Sequence, residues 1–208
     1  MMEPFTSVTG VLAPLPLDNI NTDQICPVSG HNYGSTYSDY LFHEQRFSAD
    51  GREIGDFVLN RPEYRAARFL LAGQNFGCGS GRETAVWALS GVGIRCVVAL
   101  SFADIFRENC LRNGVLPLPL PAEDHATLLA FANTVAGGLP VTIDLEQCII
   151  QYGNAHMPFS FDEAERQALL RGLDDIGVTL QFEADIGAWE RRKVATQPWL
   201  QAVPRAER

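Results

Sequence analysis

Positive charge is scarce in this chain: 16 Lys and Arg stand against 25 Asp and Glu among 208 residues, a net charge of −9, and the sequence pI is near 4.9. Such a field repels phosphate backbones and anionic headgroups, which excludes nucleic acid and membrane surfaces as main partners. Long apolar runs are missing too. The most apolar stretch, Ala85 to Ile105, is broken by Arg95 and Asp104, so no transmembrane helix is expected, and Met1-Met2-Glu3-Pro4-Phe5 lacks the basic and apolar segments of an export signal. Cysteine is sparse and wrongly spaced for metal. The five, at 26, 78, 96, 110 and 148, contain no C-x-x-C pair. They read as reduced thiols in the cytoplasm, and not as a ligand set for zinc or an iron–sulfur cluster, so any metal has to come on another subunit. His31, His43, His125 and His156 share no spacing that would face two of them on one helix. Each is read as solvated or capping, and neither a hydrolase triad nor a zinc hydrolase is indicated. What is present, 46% apolar and 10% aromatic residues, suits a globular protein with one good-sized core or two small ones.

Along the chain, Phe5 to Ala13 reads as a strand, followed by the turn-rich segment from Pro14 to Asp23. Val28 to Asp50 has no sustained period and reads as a long loop with a short helix near Asp39 to Gln45; loops of that length are more often functional than idle. The pattern then sharpens. Phe69-Leu70-Leu71-Ala72 is a short apolar run, Glu83 to Leu89 a helix, Ile94 to Leu100 a buried strand, Phe102 to Arg112 an amphipathic helix stopped by Asn113-Gly114, and Val115 to Leu118 a strand. That alternation predicts parallel pairing with right-handed crossovers. Beyond it come a helix from Ala122 to Val135 and strands at Pro140 to Leu145, Cys148 to Tyr152 and His156 to Phe161. A helix capped by Asp162 runs to Leu173, and a last one spans Ile186 to Arg192. The expected architecture is a single α/β domain over residues 1–208, its sheet mostly parallel with an antiparallel addition, and a polar tail from about residue 195.

The stretch most able to carry chemistry is Gly73-Gln74-Asn75-Phe76-Gly77-Cys78-Gly79-Ser80-Gly81-Arg82-Glu83-Thr84. Four glycines in a strand-to-helix turn let backbone amides point outward at a helix N-terminus, a ready site for an anion. The spacing is G-x-G-x-G, no Gly-Lys-Ser/Thr follows, and the next strand ends without a ribose-binding acid, so a small carboxylate gripped by Arg82 suits the turn better than a dinucleotide. Ser80-Gly81-Arg82-Glu83 also fits the capping box S-x-x-E, in which the side chains only satisfy helix amides. The two roles are compatible, because an oxygen among helix amides and an arginine is where an alkoxide is least costly. Asn19 to Pro27 reads as a turn made by Asx side chains before a proline. On the helix after Ser101, Phe102, Ile105, Phe106 and Cys110 form a stripe that core packing explains.

Taken together, Asn21-Thr22-Asp23-Gln24-Ile25, Asn75 to Ser80 with Arg82-Glu83, Ser101 to Phe106, Asn113 to Pro117 and Gly172 to Gln181 resemble the small subunits of 3-isopropylmalate dehydratase, the detached swivelling domain of the aconitase superfamily. The likeness runs in order from about Phe5 to Trp189. It implies a swivelling β/β/α three-layer fold and a hydro-lyase that interconverts 2-isopropylmalate and 3-isopropylmalate in leucine biosynthesis, active only with a large subunit. It also implies a 4Fe–4S cluster, carried by that large subunit, as Lewis acid on a di- or tricarboxylate substrate. By position Ser80 matches the catalytic base, Arg82 the carboxylate-binding arginine, and Thr22 and Asp23 the turn facing the cluster. Gly79, Gly81, Cys26, Ser29 and His31 fall on substrate-binding positions. Three departures stand out: Gly81 and Thr84 replace the family's usual Ser and His, Cys26 stands where an aliphatic residue is usual, and the specificity loop after Pro27 reads Val28-Ser29-Gly30-His31-Asn32-Tyr33. The loop change leaves a relative acting on another 2-alkylmalate, such as citramalate or dimethylmalate, as an alternative. A non-catalytic binding or regulatory module is the alternative of another class.

Overall fold

A computed structural model of the chain describes residues 2–27, 36–134, 138 and 140–200. Two compact units result, Met1–Asp174 and Asp175–Arg208.

The first unit is built on a seven-stranded sheet in the order β4-β3-β2-β1-β5-β6-β7. Strands β1 (Ser7–Leu15), β2 (Ala67–Ala72), β3 (Cys96–Ala99) and β4 (Leu116–Pro119) pair parallel, with Leu12 against Phe69, Leu70 against Val97 and Val97 against Pro117. All of β3 is buried, as expected for a parallel strand covered on both faces and therefore apolar throughout. The other edge of β1 pairs antiparallel with β5 (Pro140–Asp144), which continues into the meander of β6 (Ile149–Tyr152) and β7 (Ala155–Pro158). Gly153-Asn154 is the two-residue connection between the last two strands, as the sequence indicates.

Alternation along the strands sends neighbouring residues to opposite faces, so the sheet has two cores. On one face Leu70, Ala72, Val97 and Ala99 pack with Ile25 of α1 (Thr22–Ile25), Ala85, Val86 and Leu89 of α3 (Thr84–Gly91), and Phe106 and Cys110 of α4 (Asp104–Arg112). On the other, Phe69, Leu71, Cys96 and Val98 pack with Leu128 of α5 (Ala122–Thr134), Leu169 of α6 (Glu163–Arg171) and the antiparallel strands. The α/β layered architecture is therefore present. Asp162 caps α6, accepting from the amides of Ala164 and Glu165 at 2.9 and 3.0 Å. The described part of the long loop forms a 3-10 turn at Tyr37–Tyr40 and α2 (His43–Arg46); residues 28–35 lie outside the described residues.

Two readings of single residues change. Ile105 does not join the core stripe: α4 starts at Asp104, which turns Phe106, Asn109 and Cys110 inward and leaves Ile105 57% exposed. His125 is neither solvated nor a cap. It is buried on α5, its Nε2 2.6 Å from the Ala72 carbonyl at the end of β2, and a carbonyl only accepts, so Nε2 carries the proton.

The second unit contains α7 (Asp175–Leu180), α8 (Glu183–Thr196) and a 3-10 turn at Pro198–Leu200. Helix α8 is longer than the expected Ile186 to Arg192 at both ends, and α7 is unexpected because Gly177, Val178 and Thr179 are weak helix formers. Lys193 stacks over Trp189 with its Nζ 4.7 Å from the ring centroid. Among the described residues no helix is long and apolar enough to cross a membrane.

Candidate active site

Three loops leave the carboxyl ends of β1, β2 and β3 side by side, the place where open α/β sheets bind ligands. They are laced together. Asn21 bridges Cys78 and Phe76 bridges Phe102 in parallel fashion, so the glycine-rich loop lies between the other two like a short extension of the sheet. Its amides are consumed by this lacing: Gln74 N donates to Asp18 Oδ1, Asn75 N to Ser101 Oγ, Phe76 N to the Ser101 carbonyl, Gly77 N to the Ile20 carbonyl and Ser80 N to Thr22 Oγ1. The outward-pointing row of amides expected from the glycines is not what these five residues form. Gly77 has a different purpose. Its φ is +78°, and a Cβ there would sit 2.0 Å from the Phe106 ring, so only glycine lets the loop close onto α4.

Neither is Ser80 a helix cap. Helix α3 begins at Thr84 with Glu83 in the cap position and no side-chain cap bond, because Ser80 to Arg82 are non-helical. The helix amides expected around the hydroxyl are therefore absent, and Thr22 stands in their place. That side chain, 1% exposed, sits at the first turn of α1, which Asn21 caps in a reciprocal box with Gln24. Thr22 Oγ1 accepts the Ser80 amide at 3.1 Å and lies 3.2 Å from Ser80 Oγ. Ser80 itself is exposed. With Thr22 Oγ1 already accepting one hydrogen bond, its own proton is free to be aimed at Ser80 Oγ, which favours negative charge there.

Arg82 and Asp23 form an ion pair across the two loops, with the arginine side chain 33% and the aspartate 65% exposed. Only one guanidinium nitrogen is engaged by Asp23; a guanidinium carries five N–H donors, so others are left to grip a carboxylate. Cys26 is buried, and desolvation pushes its thiol above the ordinary value, partly opposed by a hydrogen bond with the Thr84 side chain and by the Arg82 charge. It is 1% exposed. Cys26 and Thr84, singled out separately in the sequence, are therefore partners. Gly79 (φ +98°) and Gly81 are exposed beside Ser80. The Gly81 carbonyl accepts from Asn109 Nδ2 at 3.1 Å. Ser29 and His31 lie outside the described residues.

The structure thus brings Thr22, Asp23, Gly79, Ser80, Gly81 and Arg82 together. It adds Asn109, which holds the Gly81 carbonyl in the loop, and His125, which holds the Ala72 carbonyl at the end of β2; sequence reasoning gives neither this part. Asn109 leaves a trace, as a polar residue on the inward side of α4; His125 leaves none. Among the described residues no three His, Cys, Asp or Glu side chains stand close enough to hold a metal ion. Cys96 and Cys110, fully buried, are kept protonated by desolvation, the wrong state for metal ligands.

A family model described as the aconitase C-terminal domain matches residues 2–123. A second, described as the C-terminal domain of the 3-isopropylmalate dehydratase small subunit, matches residues 175–203, within the second unit. The chain is 48% identical over 206 residues to the 3-isopropylmalate dehydratase small subunit of Paramagnetospirillum magneticum, covering 96% of this chain and 100% of the relative. It is 46% identical over 202 residues to that of Cereibacter sphaeroides, again with 96% and 100% covered. A crystal structure of 3-isopropylmalate dehydratase from Methanocaldococcus jannaschii shares the fold, with a TM-score of 0.61 at 24% identity over 89% of this chain and 99% of that one. On this combination of family match, identity and full-length coverage, the chain belongs to the aconitase C-terminal domain family, among the 3-isopropylmalate dehydratase small subunits.

Proposed function

We propose that the chain is the small subunit of a cytoplasmic hydro-lyase that interconverts 2-isopropylmalate and 3-isopropylmalate by dehydration and rehydration, and that residues 1–208 act as one swivelling domain on a large subunit. The observation that carries this reading is the convergence of Ser80, Thr22 and the Arg82–Asp23 pair on one exposed edge. Arg82 grips a substrate carboxylate through its remaining N–H donors. Ser80 Oγ, ionised, then takes the proton from the carbon beside that carboxylate, the C–H electron pair becomes the second bond of the alkene and the hydroxyl leaves the neighbouring carbon as water, while Thr22 donates a hydrogen bond to the serine oxygen for as long as it is charged. A serine hydroxyl is too weak an acid to ionise unaided at neutral pH, and the exposed edge supplies only part of the help. Closure by a partner supplies the rest as further positive charge and hydrogen-bond donors around the oxygen, which a water-excluded site strengthens; exclusion of water alone would disfavour the alkoxide. Among the described residues no donor set fits an iron–sulfur cluster, and this reading places the cluster on the large subunit.

Reconstitution tests the proposal. The purified chain alone is expected to be inactive, and activity on 2-isopropylmalate to appear when a cluster-bearing large subunit is added. Ser80→Ala is expected to lower turnover at least ~10²-fold. Turnover by the chain without a partner, or a Ser80→Ala enzyme within threefold of wild type, overturns the assignment.

A further inference from the structure

The side chains converging at the exposed edge are polar: Thr22, Asp23, Ser80 and Arg82. A substrate that carries an alkyl branch as well as carboxylates needs one apolar surface beside them. Ile105 stands there. It is 57% exposed at the start of α4, on the side of the helix that faces the glycine-rich loop, since Asn109, one turn on, bonds the Gly81 carbonyl at 3.1 Å. The three atoms nearest to a Cβ built on Gly81 are all of Ile105, the first its Cγ2 at 3.0 Å. A side chain at position 81 would thus press on Ile105 and shift it by a few tenths of an ångström. The bare backbone at Gly81 and the placing of Ile105 are therefore one arrangement.

We propose that Ile105 is a specificity-determining residue of the site, an apolar wall that contacts the alkyl branch of the 2-alkylmalate while Arg82 holds a carboxylate. The assignment rests on the functional reading above. A methylene more or less in an apolar pocket changes kcat/KM by roughly 10–200-fold, and the exposed position of Ile105 lets it be changed without disturbing the core.

The test uses the two-subunit enzyme at saturating large subunit, with 2-isopropylmalate and the methyl-bearing citramalate as substrates. Ile105→Ala is expected to lower kcat/KM for the isopropyl substrate at least about tenfold and that for citramalate less than threefold. Ile105→Val is expected to give an intermediate ratio. Gly81→Ser is expected to change the ratio of kcat/KM for the two substrates at least about threefold by displacing Ile105, and Ile105→Val in the same chain to recover part of that change. Equal losses for both substrates, an unchanged ratio, or an effect confined to the amount of large subunit needed for half-maximal activity would each overturn the proposal, the last assigning Ile105 to the subunit interface. If the wild-type assembly turns over neither substrate, the functional reading itself fails and takes this inference with it.

Discussion

Replacing Thr22 by valine removes one hydroxyl and almost no volume, and it isolates the interaction on which the base assignment depends. In the structure that hydroxyl accepts the Ser80 amide at 3.1 Å and reaches Ser80 Oγ at 3.2 Å. Losing the first bond costs about 1 kcal/mol of folding stability, a small part of the ~5–15 kcal/mol typical of a domain, so the variant is expected to fold. Losing the second removes a donor from the oxygen that becomes charged, which by analogy with other oxyanion sites costs roughly 10²–10³-fold in kcat. Arg82 is untouched, so KM should stay within about threefold, since binding of the carboxylate is unchanged. Steady-state kinetics with saturating large subunit read both numbers, and Thr22→Ser, which restores the hydroxyl, should recover most of kcat. A Thr22→Val enzyme with kcat within threefold of wild type, beside an inactive Ser80→Ala enzyme, would show that Ser80 is ionised by something other than Thr22.

Three further outcomes are expected. Asp23→Asn, at an exposed pair, should change stability by less than about 1 kcal/mol in urea denaturation yet lower turnover at least tenfold through loss of the charge that orients Arg82; unchanged turnover would remove Asp23 from the site. Gly77→Ala forces a methyl into the Phe106 ring at a positive φ and should destabilise by about 2–4 kcal/mol, the sum of overpacking and backbone strain; a loss under 1 kcal/mol would mean that the loop is not seated on α4. Burial raises the Cys96 and Cys110 thiols above the ordinary 9.0. Below pH 9.0 folded and unfolded chains both keep these protons, whereas above it the unfolded chain ionises first, so stability should fall by up to about 1.4 kcal/mol per pH unit per thiol until the folded thiols ionise as well. Urea midpoints at pH 8 and pH 10 check this, and because burial raises the Cys26 thiol as well, Cys110→Ala should reduce the slope by about a third to a half; an identical slope in that variant would contradict the burial argument.

The fold is legible where the pattern is regular. The runs at Phe69 to Ala72 and Ile94 to Leu100, the Asn113-Gly114 stop and the Asp162 cap each carry local signals that tertiary contacts reinforce. Ile105 departs from its expected place because it lies about 100° around the helix from its neighbour Phe106; with Phe102 outside a helix that starts at Asp104, the buried face is set by Phe106, Asn109 and Cys110. The site is legible in its residues and illegible in its bonds. Ser80-Gly81-Arg82-Glu83 fits a capping box by spacing alone, yet the chain stays non-helical until Thr84, because Thr22, 58 residues away in sequence, claims the serine. No local pattern announces a partner that distant. For the same reason the contact of Cys26 with Thr84, 58 residues apart, emerges only in three dimensions.

The rungs that Asn21 shares with Cys78, and Phe76 with Phe102, continue the pleated sheet beyond its strands into what sequence presents as loop. Hydrogen exchange at the amides of Thr22, Phe76, Gly77 and Ala103, all bonded to backbone carbonyls across those rungs, should accordingly resemble that of strand amides. Chain segments already fixed in this way have little freedom left to lose when a large subunit arrives. Assembly then approaches the docking of two finished surfaces, and on this frame the energy of association goes into positioning substrate instead of shaping the loop that meets it.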